Sequence, residues 1–136
     1  MLASPAKISE HVYWLPPGPP DRPSLCAVVG ERGTIWLDAG SSAAHAREFR
    51  AFLAENEIAK PSHVVLSHSH WDHVFGAAEL GAYVAAHELT AGYLEELAEM
   101  DWSDEGLEGR VASGEASSQH AENVKAELPS PRRVEI

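Results

Sequence analysis

Hydrophobic positions come along this chain in short runs separated by polar turns, and the runs change period from strand-like to helix-like and back. "EHVYWLP", Glu10 to Pro16, has the β-branched and aromatic content of a strand. "PPGPPDRP" then breaks it, since proline fixes φ and removes an amide donor. "SLCAVVG" and "GTIWLDAG" lie on either side of a polar turn and predict a hairpin. In "SSAAHAREFRAFLAENEIAK", Phe49, Phe52, Leu53 and Ile58 recur at helical spacing, with Ser41 or Ser42 available as the N-cap. "SHVVLS" is a short buried strand. After it "VFGAAEL" predicts a turn or two of helix, "AYVAAH" a strand and "ELTAGYLEELAEM" a helix. The stretch from Asp101 to Leu128 is helical in pattern but weakened by Gly106, Gly109 and Gly114, and "PSPRRVEI" is extended.

Strands alternating with helices indicate an α/β layered architecture. The runs "LCAVV", "TIWL" and "VVL" have little polar alternation, so both faces of their sheet call for a cover. The helix from Ser41 covers part of one face, and little in the chain is available for the other. A length of 136 residues suits a single domain, residues 1–136, and not two.

Between Leu66 and Gly76 the chain reads "LSHSHWDHVFG", placing His68, His70, Asp72 and His73 directly after a buried strand. Imidazole nitrogen and carboxylate oxygen are ligands for zinc and for iron, manganese or nickel. In extended chain His68 and His70 point to one side, and a turn at Trp71 swings Asp72 and His73 toward a second point nearby. Two donor pairs suit two ions roughly 3.5–4 Å apart, and the end of a strand is where α/β sheets place their sites.

Charge and composition narrow the options. The formal net charge is −11, with twelve acids against four bases from Glu88 onward. Such a surface repels phosphate backbones, so nucleic acid is not an expected partner. Cys26 is the only cysteine, which excludes an internal disulfide and fits a reducing cytoplasm. Its apolar strand makes it a core residue rather than a reactive one. "MLASPAKISE" lacks the pattern of a secretory signal, and no apolar run is long enough for a membrane span.

The order His-x-His-x-Asp-His after a hydrophobic strand resembles the signature of the metallo-β-lactamase superfamily. "TIWLDAGSS" is similar to that family's strand ending in Asp-x-Gly, and "VAAHELT" to the strand and helix that follow its metal loop. The resemblance implies an αββα sandwich of which this chain holds the N-terminal half, a mixed sheet with helices on one face. It implies a metal-bound hydroxide attacking an ester, thioester, lactam, lactone or phosphoester of a small-molecule substrate. His68 and His70 would bind the first metal, Asp72 and His73 the second, and Asp72 would also handle a proton. Asp38 would orient the metal loop through hydrogen bonds; a plain turn or helix-capping aspartate is an equal reading of it.

The family completes its site with a histidine in a Gly-His turn, a bridging aspartate and a final histidine, all downstream. No aspartate follows Asp104 here, and His120 lies in "SSQHAENV" without a Gly-His turn, so it is expected to stay outside the site. His87 is expected to pack or cap. "RRVEI" reads like the first residues of a following strand. Each half of the histidine turn supplies two donors where catalytic zinc takes three. The expectation is therefore a zinc-dependent hydrolase whose site is incomplete in this chain alone, with a homodimer or a complementary chain covering the open sheet face. The alternative is a non-catalytic half-domain that serves in binding or assembly.

Overall fold

The computed structural model describes residues 4–132 and 134–136. Six strands form one mixed sheet in the order of the chain: β1 (Ala6–Lys7), β2 (Val12–Leu15), β3 (Leu25–Gly30), β4 (Gly33–Leu37), β5 (Pro61–Val65) and β6 (Tyr83–Ala85). The first four are antiparallel, and β4, β5 and β6 are parallel. The parallel pairing follows from the connections. β4 reaches β5 through helix α1 (Ala43–Glu55), and β5 reaches β6 through the short helices α2 (Trp71–Val74) and α3 (Ala77–Leu80). Three more helices follow: α4 (Glu88–Glu99), α5 (Asp104–Ala112) and α6 (Ser118–Glu127).

Alternation along the strands sorts the side chains onto two faces. Tyr13, Leu15, Leu25, Ala27, Trp36 and Val64 turn inward, and Ala46, Phe49 and Leu53 of α1 meet them in the main core. Trp36 and Phe49 pack with ring centroids 4.9 Å apart. Val74, Ala77 and Leu80 of α2 and α3 complete this layer. A second core forms beside the first from Trp71, Trp102, Leu107, Ala121 and Val124, and Phe75 touches both. Burial of these apolar groups is the main force holding α5 and α6 to the body. α4 contributes no buried residue.

The opposite face of the sheet is open. Register sets Trp14, Cys26, Leu37, Val65 and Ala85 in one row across it, and Val12, Val28, Ile35, His63 and Tyr83 in the next. Ile35, Leu37 and Val65 are 40%, 45% and 40% exposed. The architecture is thus the mixed sheet with helices on one face, not the sheet covered on both faces that the apolar runs call for.

Four local expectations change. β1 was not anticipated, because two residues carry no readable period. The long helical stretch is two helices, with Gly114 at φ 81° and the Ser117 cap dividing them. Cys26 belongs to the open face and is half-buried, its thiol pushed up in pKa by that burial. "RRVEI" forms no strand among its described residues; Arg133 lies outside them, as do Met1 to Ala3 of the expected non-signal N-terminus.

Candidate metal centre and the adjoining cavity

β4 ends at Leu37, and Asp38 leaves it with φ 65°, in the left-handed region that costs a non-glycine residue about a kcal/mol. The turn is held by Asp38 N donating to Val65 O at 2.8 Å and Ala39 N donating to His73 O at 2.9 Å. That unusual backbone aims the Asp38 carboxylate across to the end of β5. There Oδ1 accepts from Ser67 N at 2.7 Å, and Oδ2 accepts from Ser67 Oγ at 2.7 Å. His73 Nδ1 lies 2.8 Å from the same Oδ2. Asp38 therefore sits in a turn and orients the loop from it, and of its other reading as a plain turn or helix-capping aspartate only the capping part falls: the side chain that caps α1 is Ser42.

The loop brings three imidazoles together. His68 and His73 have ring centroids 4.1 Å apart, and His68 and His70 4.6 Å. Asp72 Oδ2 is 3.7 Å from His73 Nε2. His70 is the residue before α2, so the turn expected at Trp71 is the first turn of a helix. Trp71 is buried and anchors that helix in the second core. On the other side Gly76 lets the chain pass against the Asp38 turn, since a Cβ there would sit 2.2 Å from Ala39 O.

Charge follows this geometry. Burial works against ionisation of Asp38, but the hydrogen bonds from His73 and Ser67 outweigh it and hold its pKa below the usual value. Burial lowers His73, and the bond to Asp38 more than reverses that, raising it. His68 is lowered, first by burial and then by the neighbouring His73 and His70. Its Nδ1 contacts Ser67 Oγ at 2.8 Å. With Nδ1 of both His68 and His73 engaged, each ring has Nε2 left as a donor atom, the arrangement that orients metal-binding histidines. The donor chemistry thus fits a divalent ion in kind. Among the described residues, however, no group of three or more His, Cys, Asp or Glu side chains is arranged to hold an ion.

A cavity of about 540 Å³ opens beside the turn, with His70, Trp71 and Asp72 on one side and Asp21, Trp102 and His120 on others. His120 comes from α6 and stands with its ring centroid 6.2 Å from that of Trp71. Burial, then the charge of Arg110, lowers its pKa. Asp21 is raised by burial and by Asp72. The sequence set His120 aside for want of a Gly-His turn and read Asp21 only as part of a proline-rich break. The cause of their arrival is a buried network 105 residues apart: Glu127 of α6 accepts from Arg22 Nε at 2.7 Å and from the Ser42 hydroxyl at 2.7 Å. No local pattern announces it. His87 caps α4 as expected, its Nδ1 accepting from Leu89 N at 3.1 Å.

The family model described as the metallo-beta-lactamase superfamily matches residues 19–131. Among curated proteins no sequence matches the chain. Among solved structures it is similar to a HARLDQ-motif mutant of a metallo-beta-lactamase from Cronobacter sakazakii, with 27% identity and a TM-score of 0.57. That match covers 74% of this chain and 40% of the other. MEM-A1, a subclass B3 metallo-beta-lactamase from a soil metagenome library, matches at 20% identity and TM-score 0.59, covering 75% and 40%. The mono-zinc form of FIM-1 from Pseudomonas aeruginosa matches at 14% identity and TM-score 0.59, covering 71% and 46%. The chain spans less than half the length of each.

Proposed function

This chain belongs to the metallo-β-lactamase superfamily, and from that premise we propose that it is a zinc-dependent hydrolase whose turn His68, His70, Asp72 and His73 holds one or two ions. The observation that carries the reading is the Asp38 carboxylate, which ties Ser67 and His73 together beneath three clustered imidazoles. A histidine-rich surface loop has no use for a strained aspartate that fixes its ring orientations. Zinc suits the donors best, and iron, manganese or nickel accept the same ligand types.

When bound, such an ion lowers the pKa of water to about 7 and polarises the oxygen of the bond under attack. The chain's own residues do the rest. Asp38 sets the His73 ring and, through Ser67, the start of the loop. Asp72, between His73 and the cavity, takes the proton that water sheds as it attacks and passes it to the leaving group as the bond breaks. Trp71 and Trp102 give the cavity an apolar wall that excludes water from the acyl or phosphoryl group. The volume suits a small molecule, an ester, thioester, lactam, lactone or phosphoester.

Two donor pairs fall short of the three protein ligands of a catalytic zinc. We therefore read the chain alone as a weak metal binder, completed by a second copy or by a complementary chain on the open sheet face. A non-catalytic half-domain is the second reading, supported by the absence of a three-donor group among the described residues and by that same face.

Elemental analysis after zinc reconstitution, paired with turnover of a generic thioester and a phosphodiester, separates the two. With the completing copy or chain present, the hydrolase reading expects bound zinc and hydrolysis, both abolished in His70→Ala. Hydrolysis that survives His70→Ala rules it out. Less than one metal per chain and no turnover under any pairing favours the half-domain.

A further inference from the structure

The cavity runs from the histidine turn to a guanidinium that forms no ion pair with a carboxylate. Arg110 of α5 lines the cavity with His70 and Asp72, and a continuous path of side chains joins the two ends. Trp71 follows His70 in the chain, His120 lies edge-on to both Trp71 and Trp102, and the Arg110 guanidinium stands 5.1 Å from the centre of the Trp102 ring. Nη1 donates to Asp101 O at 2.8 Å. Nη2 is buried without a hydrogen-bond partner. Among the described residues Arg22, Arg47, Arg50, Lys125 and Arg132 each pair with a carboxylate; Arg110, like the exposed Lys7, Arg32 and Lys60, pairs with none, and unlike those three it is partly buried.

A buried donor on a charged group that lacks an acceptor is costly, more so than for a neutral donor. Stacking on an indole face does not replace the missing acceptor, because the cation–π attraction acts on the charge and leaves the N–H free. Guanidinium meets a carboxylate or a phosphate in matched, charge-assisted hydrogen bonds. The acids of the cavity are placed differently. Glu96 and Glu115 are exposed on its rim, where solvent and salt screen them. Asp72 and Asp21 belong to the end at the histidine turn.

Resting on the hydrolase reading, we propose that Arg110 makes the far end of this cavity an anion subsite, so that the substrate carries a carboxylate or similar oxyanion beyond an apolar body lying along Trp71 and Trp102. Arg110 is then a specificity-determining residue. It acts on the part of the substrate remote from the bond that breaks.

The test uses the full chain stripped of metal with EDTA, so that no ion at the turn attracts the anion. The probes are 4-phenylbutyrate and its uncharged isostere 4-phenylbutyramide, titrated by calorimetry and by tryptophan fluorescence. The carboxylate should bind the wild-type chain at least 10-fold more tightly than the amide, Arg110→Gln should bring that ratio to about one, and Arg110→Lys should keep part of it. Equal affinities in the wild type, a ratio unchanged in Arg110→Gln, or no binding of either probe would each overturn the proposal. The wild-type ratio needs no variant, so misfolding of Arg110→Gln does not spare the idea. The hydrolase reading fails on different data, metal content and turnover, and the charge ratio stands or falls without them.

Discussion

Asp38 concentrates the logic of the site in one residue. Its positive φ is tolerated by asparagine and resisted by alanine. Asp38→Asn should therefore keep the fold while losing the charged acceptor of His73, and zinc affinity in competition with a chelating dye should fall 10- to 100-fold. An unchanged affinity would remove Asp38 from the orienting role. His45 makes a separate prediction. It is fully buried at the start of α1, its Nδ1 accepts from Ser41 N at 3.1 Å, and its Nε2 has no partner. Burial, aided by the charge of Arg22, pushes its pKa down to about 4 from 6.5. The unfolded chain thus binds a proton at a pH where the folded one does not. The stability this provides is complete above pH 6.5 and is lost as pH falls toward 4, by up to about 1.4 kcal/mol per pH unit. Urea midpoints measured from pH 7 to pH 5 should slope less steeply for His45→Asn than for the wild type. At this scale the four ligand-type residues of the turn could be singled out because they are adjacent in sequence, and the fold brings the His68, His70 and His73 rings together. Asp21 and His120 could not be, because each takes its meaning from a partner across the molecule.

Elements are held to the site by two close fits. α2 and α3 approach the Asp38 turn through Gly76, where a Cβ would meet Ala39 O at 2.2 Å and Ser42 O at 2.8 Å. Both are backbone atoms that cannot move aside cheaply. Gly76→Ala should destabilise the chain by about 3 kcal/mol in urea unfolding. α6 is held by Glu127, whose side chain is 3% exposed and accepts from Arg22 and from both Ser41 and Ser42. Glu127→Ala leaves those donors without their common acceptor and should cost about 3–5 kcal/mol. Hydrogen exchange should show the loss first in α6, with the β3–β4 hairpin still protected; uniform exchange would mean that Glu127 does not specifically hold α6. The hairpin, α1 and β5 were readable from period and capping, since their apolar faces are long enough to repeat. The division between α5 and α6 rests on one glycine and one serine cap inside a polar, helix-prone stretch, and periodicity carries no mark of it.

For the molecule as a whole, the open sheet face is the dominant unmet demand. Two rows of outward side chains cross five strands and carry no carboxylate, lysine or arginine, while the chain carries −11 overall. Light scattering should give a mass that rises with concentration in the wild type. Leu37→Glu, at the centre of one row, should return it to the monomer without altering the cavity on the other side. A wild-type chain that stays monomeric at high micromolar concentration contradicts self-association through this face and leaves a complementary chain as its cover. The half-covered sheet was visible in the sequence as apolar runs in excess of the helices available to pack on them. The cavity was not, because α4, α5 and α6 wall it through contacts that no local pattern encodes. The most direct test of the central claim is anomalous scattering at the zinc edge from crystals reconstituted with zinc. A peak among His68, His70, Asp72 and His73 is the result predicted here; density lacking a peak there, or a peak elsewhere on the chain, contradicts it.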